Sequence, residues 1–177
     1  MPIERAGLRH RGWTLLEVIV VVCLVGILAS LALERMLRYQ ELAEKTAMEG
    51  TLGALRSALA LQATARIMHG RFDAVGALAE EDPMSWLADR PIDYIGARHG
   101  PTLAELPKGS WCFDLDRKEL IYRPLRTRFF SASPGAGDWI RFKVVVRLAG
   151  PGKDRPFREI SELGIHPTSA VQWSPEF

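Results

Sequence analysis

The chain falls by pattern into one unbroken apolar run, one stripe of helical period, and a stretch where apolar and polar residues alternate. Residues 13–33 read WTLLEVIVVVCLVGILASLAL, twenty-one residues whose only ionisable side chains are Glu17 and Cys23. A helix needs about 20 predominantly apolar residues to cross the hydrocarbon of a bilayer. Thirteen of these residues are Leu, Ile or Val, and such residues favour insertion by roughly 4 to 8 kcal/mol in sum. One acid costs about 2.5 to 3.5 kcal/mol at the bilayer centre. Glu17 lies near the start of the run, where that cost is smaller, so the run predicts a membrane-spanning helix.

Beyond Leu33, residues Met48, Leu52, Leu55, Leu59, Ala63 and Ile67 recur at steps of three or four. That is the spacing of one helical face turned toward a core. Glu34 with Arg38 and Glu41 with Lys45 are spaced for ion pairs on the solvated side. His69-Gly70 supplies a stop. The pattern predicts one helix over residues 13–67, near 80 Å long at ~1.5 Å per residue. The alternative is two helices broken around Gly50 and Gly53, since each glycine costs roughly 1 kcal/mol relative to alanine.

Residues 70–109 hold Pro83, Pro91, Pro101 and Pro107 with several glycines, and read as a connecting region with a short helix over residues 84–88. Trp111, Phe113 and Leu115 then alternate with Cys112 and Asp114, a turn follows at residues 116–119, and Leu120-Ile121-Tyr122-Arg123 returns. That predicts a hairpin. The cleanest strand covers residues 139–148, with Ile140, Phe142, Val144, Val146 and Leu148 on one side and Arg141, Lys143 and Arg147 on the other. A weaker final strand lies between Ser169 and Trp173, and an earlier short one at residues 158–160. The expected fold is α+β: a long N-terminal helix laid on an antiparallel sheet of three or four strands.

Composition sharpens this picture in a few places. The 177 residues suffice for one ordinary domain and one extra segment. Net charge is +2, with cations scattered among acids, so no basic field suited to nucleic acid is expected. Cys23 lies inside the apolar run and Cys112 far downstream, which argues against a disulfide between them. The chain contains no Asn, which excludes Asn-linked glycosylation.

One motif carries more specific information. Arg11-Gly12-Trp13-Thr14-Leu15-Leu16-Glu17, followed at once by the aliphatic run, resembles the processing site of type IV prepilins and type II secretion pseudopilins. The resemblance implies that a prepilin peptidase cuts between Gly12 and Trp13 and methylates the new amino terminus at Trp13. Glu17 then occupies the family's acidic position, five residues into the mature chain. A carboxylate in lipid needs a partner, and the resemblance supplies one in the amino terminus of a neighbouring subunit. Glu17 would thus act as a register mark for assembly, much as one buried polar residue fixes a coiled coil. Three departures from the family stand out. Trp13 replaces the usual Phe, Glu34 stands where many pilins carry a helix-kinking proline, and no proline occurs between residues 3 and 82.

The resulting division is a basic leader at 1–12, a transmembrane and filament-core segment at 13–33, its amphipathic continuation at 34–69, and a globular periplasmic domain at 70–177. The expected partners are other pilin or pseudopilin subunits, the prepilin peptidase, an inner-membrane assembly platform and membrane lipid. Orientation is not decided by charge alone, because Arg5, Arg9 and Arg11 precede the run while Arg35, Arg38 and Lys45 follow it. A long C-terminal domain translocates largely regardless of its charge, which favours a cytoplasmic N-terminus.

Other chemistry finds little support. His10, His69, His99 and His166 are far apart and not interleaved with acids at ligand spacing. Gly150-Pro151-Gly152-Lys153 lacks the spacing and the following Ser or Thr of a phosphate loop, and reads as a turn. Asp154, Glu159, Glu162 and Glu176 lack the spacing of a calcium cage. Cys112 reads as a small apolar filler. No cofactor and no catalytic residue is expected. Two other readings stay open: a membrane-tethered binding or sensor domain whose helix is only an anchor, and a secreted protein cleaved near Ser30-Leu31-Ala32.

Overall fold

The computed structural model describes residues 14–125, 130–132, 138–150, 159–168 and 171–173. Gly12, Trp13 and the Pro151-Gly152-Lys153 part of the expected turn lie outside these. The long helix, α1, runs uninterrupted through Leu15–Met68, so the break considered at Gly50 and Gly53 does not occur. The chain clusters into two compact units, residues 1–42 and 43–177. In the first, every side chain from Thr14 to Met36 is exposed.

In the second unit, Met48, Leu52, Leu55, Leu59 and Ala63 of α1 are buried in the main core, as their spacing predicts. Ile67 departs from the stripe at 41% exposure. Each step of four residues overshoots a helical turn by about 40°, so three such steps from Leu55 carry Ile67 round the axis and away from the core. The helix stops where expected. Gly70 adopts φ 70°, its N–H donates to Ile67 O at 2.9 Å, and the Arg71 N–H donates to Arg66 O at 2.8 Å. That pair of bonds is a Schellman cap, whose left-handed residue glycine occupies without steric penalty. Along the helix Lys45 Nζ meets Glu49 Oε1 at 3.8 Å.

Among the described residues seven strands follow: β1 (Tyr94–Arg98), β2 (Ser110–Asp114), β3 (Glu119–Arg123), β4 (Phe130–Ala132), β5 (Ile140–Ala149), β6 (Glu159–Pro167) and β7 (Val171–Trp173). Five of them form one sheet in the order β1-β2-β3-β5-β6, while β4 and β7 pair separately. The expected sheet of three or four antiparallel strands is therefore corrected to five strands of mixed direction, because β1 runs parallel to β2. The expected β2–β3 hairpin forms, with Trp111 opposite Tyr122 and Phe113 opposite Leu120. Its turn is held by Asp114, whose Oδ1 accepts the N–H groups of Asp116 at 3.0 Å and Arg117 at 3.4 Å.

Two irregularities explain what alternation alone fails to reveal. The register of β1 against β2 shifts between Tyr94 and Ala97, and Gly96 within that shift takes φ 97°, a conformation that L side chains rarely adopt. In β6, Arg147 faces Glu162 and Leu148 faces Ile160, leaving Ser161 as an extra residue. A bulge of this kind reverses the inward phase. It places Ile160 against the same core as Leu163 and Ile165, so a nine-residue strand reads from sequence as a three-residue one.

The Pro-rich connection is also more ordered than its composition suggests. Two 3-10 helices, Phe72–Ala79 and Pro83–Trp86, bury Val75, Leu78 and Met84. The second takes the place of the short helix expected over residues 84–88. Polar groups pin this segment: Arg66 Nη2 donates to both carboxylate oxygens of Glu81 at 2.9 and 2.8 Å, Arg66 Nη1 donates to Ala74 O, and Tyr94 OH donates to Asp82.

Candidate assembly helix

The first nineteen residues of α1 are the unusual surface of this protein. Leu15 is 80% exposed and Leu16 74%, and Ile19, Val22, Ile27, Leu31 and Leu33 all exceed half. A folded domain places such residues inside, because each buried Leu, Ile or Val gains about 1.5 to 3 kcal/mol. An aliphatic surface on every side of a helix suits apolar surroundings rather than water. By length and composition, α1 is the one helix among the described residues able to cross a membrane.

Local chemistry fixes where this helix begins. The Glu17 N–H donates to Thr14 Oγ1 at 3.3 Å, so the Thr14 hydroxyl satisfies one of the amides left open at a helix start. Thr14-Leu15-Leu16-Glu17 matches the S/T-x-x-E spacing of a capping box. Sequence reasoning placed Thr14 within the motif and gave it no role; that spacing before an apolar run was the available signal. Glu17 sits in the first turn of α1, where the positive end of the helix dipole favours a negative charge. It is the one acidic side chain between residues 14 and 33.

Farther along, Ser30 donates its hydroxyl to Ile27 O at 2.7 Å, which satisfies that donor within the helix. Gly26 meets no other atom within 4 Å of where a Cβ would lie, so packing within this chain does not demand glycine there. Cys23 is exposed.

The second unit holds polar groups that serve structure. Glu44 Oε1 accepts from Tyr122 OH at 2.9 Å and from the Leu125 N–H. Burial, reinforced by the Glu44 carboxylate, raises the Tyr122 hydroxyl above the ordinary tyrosine range; burial and Asp82 do the same at Tyr94. Cys112 is fully buried with Leu106 and Ile121, and burial pushes its thiol up. His99 pairs with Asp116 at 2.7 Å and His166 lies 3.6 Å from Glu162. Among the described residues no group of three or more His, Cys, Asp or Glu is placed to hold a metal ion.

Comparison with curated proteins finds type II secretion system core protein G of Pectobacterium carotovorum subsp. carotovorum. It is 27% identical over 113 residues, covering 62% of this chain and 67% of that protein. This chain is similar to a type II secretion pseudopilin. No protein-family model matches it, and no solved structure matches it. The chain's own fold is a long, apolar N-terminal helix whose later turns pack on a sheet.

Proposed function

We propose that this protein is a minor structural subunit of a type II secretion pseudopilus or type IV pilus, processed after Gly12 and assembled through its N-terminal helix. The observation that carries the reading is the exposed aliphatic surface of residues 15–33 with the single acid Glu17 in its first turn. Before assembly this surface sits in the inner membrane, with the N-terminus cytoplasmic and the C-terminal domain periplasmic. After assembly it is covered by the same surface of neighbouring subunits.

Glu17 gives the exchange its specificity. In lipid its carboxylate is costly unless paired, and cleavage between Gly12 and Trp13 creates a methylated amino terminus on each subunit that can serve as its partner. Other pilin or pseudopilin subunits, the prepilin peptidase, an inner-membrane assembly platform and membrane lipid are the partners this implies. The role is structural, with no substrate turned over.

The deciding experiment expresses the full chain with and without a prepilin peptidase and reads the mature N-terminus by mass spectrometry. The expected product begins at methylated Trp13 and appears only with the peptidase. An intact leader under both conditions sinks the proposal in favour of a tethered binding or sensor domain. A start near Leu33 makes the apolar run an export signal. Replacing Glu17 by Leu is expected to leave membrane insertion intact and abolish co-assembly, scored by cross-linking of neighbouring subunits.

A further inference from the structure

Parallel neighbouring strands cannot be joined by a tight turn, so the chain between them must cross a face of the sheet. β1 and β2 are such a pair, and residues 99–109 make the crossing. They pass over the face opposite α1. There Leu106 is fully buried with Cys112 and Ile121, and Ile95 and Trp139 pack at the margin.

The crossing is fastened chiefly at Arg123, whose backbone oxygen accepts the Gly109 N–H at 2.7 Å. Arg123 Nη1 donates to Leu103 O at 2.7 Å and to Leu106 O at 2.5 Å, while Arg123 Nε is buried with no hydrogen-bond partner. A buried donor left unpaired weakens the fastening that the other two bonds provide. At the outer end, His99 Nδ1 meets Asp116 Oδ1 at 2.7 Å with both side chains mostly exposed, and such pairs contribute little. Ser110 Oγ donates to Pro107 O at 2.7 Å at the other end. Below the crossing, by contrast, β2 is laddered on both sides. Segments with few fixed bonds open at lower free energy than the sheet they cover.

We infer that residues 99–109 form a strap that opens separately from global unfolding, with Arg123 as the positioning residue that closes it, and that opening bares the sealed Cys112 thiol. Closure protects that thiol in two ways, by excluding reagent and by keeping it protonated through burial.

The test is pulsed alkylation of the full-length chain in detergent micelles with N-ethylmaleimide at one fixed pH. Labelling is read by mass spectrometry on the tryptic peptide 109–117, which separates Cys112 from Cys23. In the parent protein, Cys112 labelling is expected to be insensitive to urea well below the unfolding transition. Arg123→Met should raise the labelling rate by about tenfold or more, and His99→Ala by about two- to threefold, with the near-ultraviolet circular dichroism of the core retained. Should Arg123→Met unfold the domain, the urea dependence of labelling in the parent protein decides. The proposal is overturned if Cys112 labelling in the parent protein follows global unfolding in its urea dependence, or if Arg123→Met leaves the rate unchanged with the core retained.

Discussion

Residues 15–33 and 43–68 belong to one α-helix and answer to opposite surroundings. In the later stretch, apolar residues recur on one face, where Leu55 is fully buried and Leu59 is 1% exposed. In the earlier one they cover every face and stay exposed. Backbone hydrogen bonding is the same in both, so the difference lies entirely in what the side chains require. A stripe asks for a sheet on one side, whereas a sleeve asks for apolar surroundings all round. The comparison separates what folds this protein from what places it.

The largest expected effect breaks that separation at its clearest point. Leu55→Ala should lower the unfolding free energy of the full chain in detergent by about 2 to 5 kcal/mol, followed by urea titration of tryptophan fluorescence. Leu24→Ala, an equal loss of side chain in the exposed sleeve, should change it by less than about 0.5 kcal/mol. Equal losses at the two positions would mean that the sleeve contributes to the folded core.

How much of this was legible follows from which residues carry a period. Met48 to Ala63 announce their buried face because a helix repeats every 3.6 residues and nothing interrupts it. The β2–β3 hairpin and β5 announce themselves by strict alternation. Two of the strands that were missed or shortened have a break in phase, while β4 is only three residues long and too short to carry a pattern. At β1 the break falls around Gly96; at β6 it falls at Ser161, whose hydroxyl donates to Arg147 O at 3.0 Å across the bulge. Sequence also cannot show that β1 runs parallel to β2, since direction depends on a crossing that no local pattern encodes. Burial of β2 on both faces, Cys112 as fully as Trp111, is a consequence of that crossing. At the candidate site, the sequence marks Glu17 as an isolated acid in an aliphatic run, which the structure places in the first turn of α1, while Gly12 and Trp13 rest on resemblance and lie outside the described residues.

A smaller effect tests how the packed unit secures its least periodic part. The Arg66 side chain is 15% exposed and its partner Glu81 40%, and Trp86 Nε1 also donates to Glu81 at 3.2 Å. Arg66→Met should cost about 1.5 to 3 kcal/mol, the range for hydrogen bonds to charged groups. Protease sensitivity should rise within residues 70–90 and not in the sheet. Loss spread evenly over the domain would mean that the connection is held by Val75 and Leu78 alone.

Alkaline titration addresses the same unit from another side. Tyr94 and Tyr122 have hydroxyls raised above the ordinary tyrosine value, so the unfolded chain loses their protons first. Their contribution is complete below about pH 10 and is lost as the pH climbs through the folded-state values above it. Stability of the parent protein should therefore fall above about pH 10. In the Tyr94→Phe, Tyr122→Phe double variant the fall should be shallower, measured by urea midpoints at successive pH values.

The smallest effect sits where the sleeve begins. Thr14 satisfies the Glu17 amide, and Glu17 carries the carboxylate on which the proposed register depends, so one residue sets both the start of the helix and the position of the acid along it. Thr14→Ala should cost the first turn about 1 kcal/mol, seen as faster hydrogen exchange at the amides of residues 16–18 in micelles. Thr14→Ser, which keeps the oxygen, should restore protection. The urea midpoint of the packed unit should not move, because no buried side chain there depends on this cap. If Thr14→Ala weakens subunit cross-linking and Thr14→Ser recovers it, the capped start of the helix matters to assembly as well as Glu17 itself. Unchanged cross-linking in both would confine the role of Thr14 to local helix order and leave the register to the acid alone.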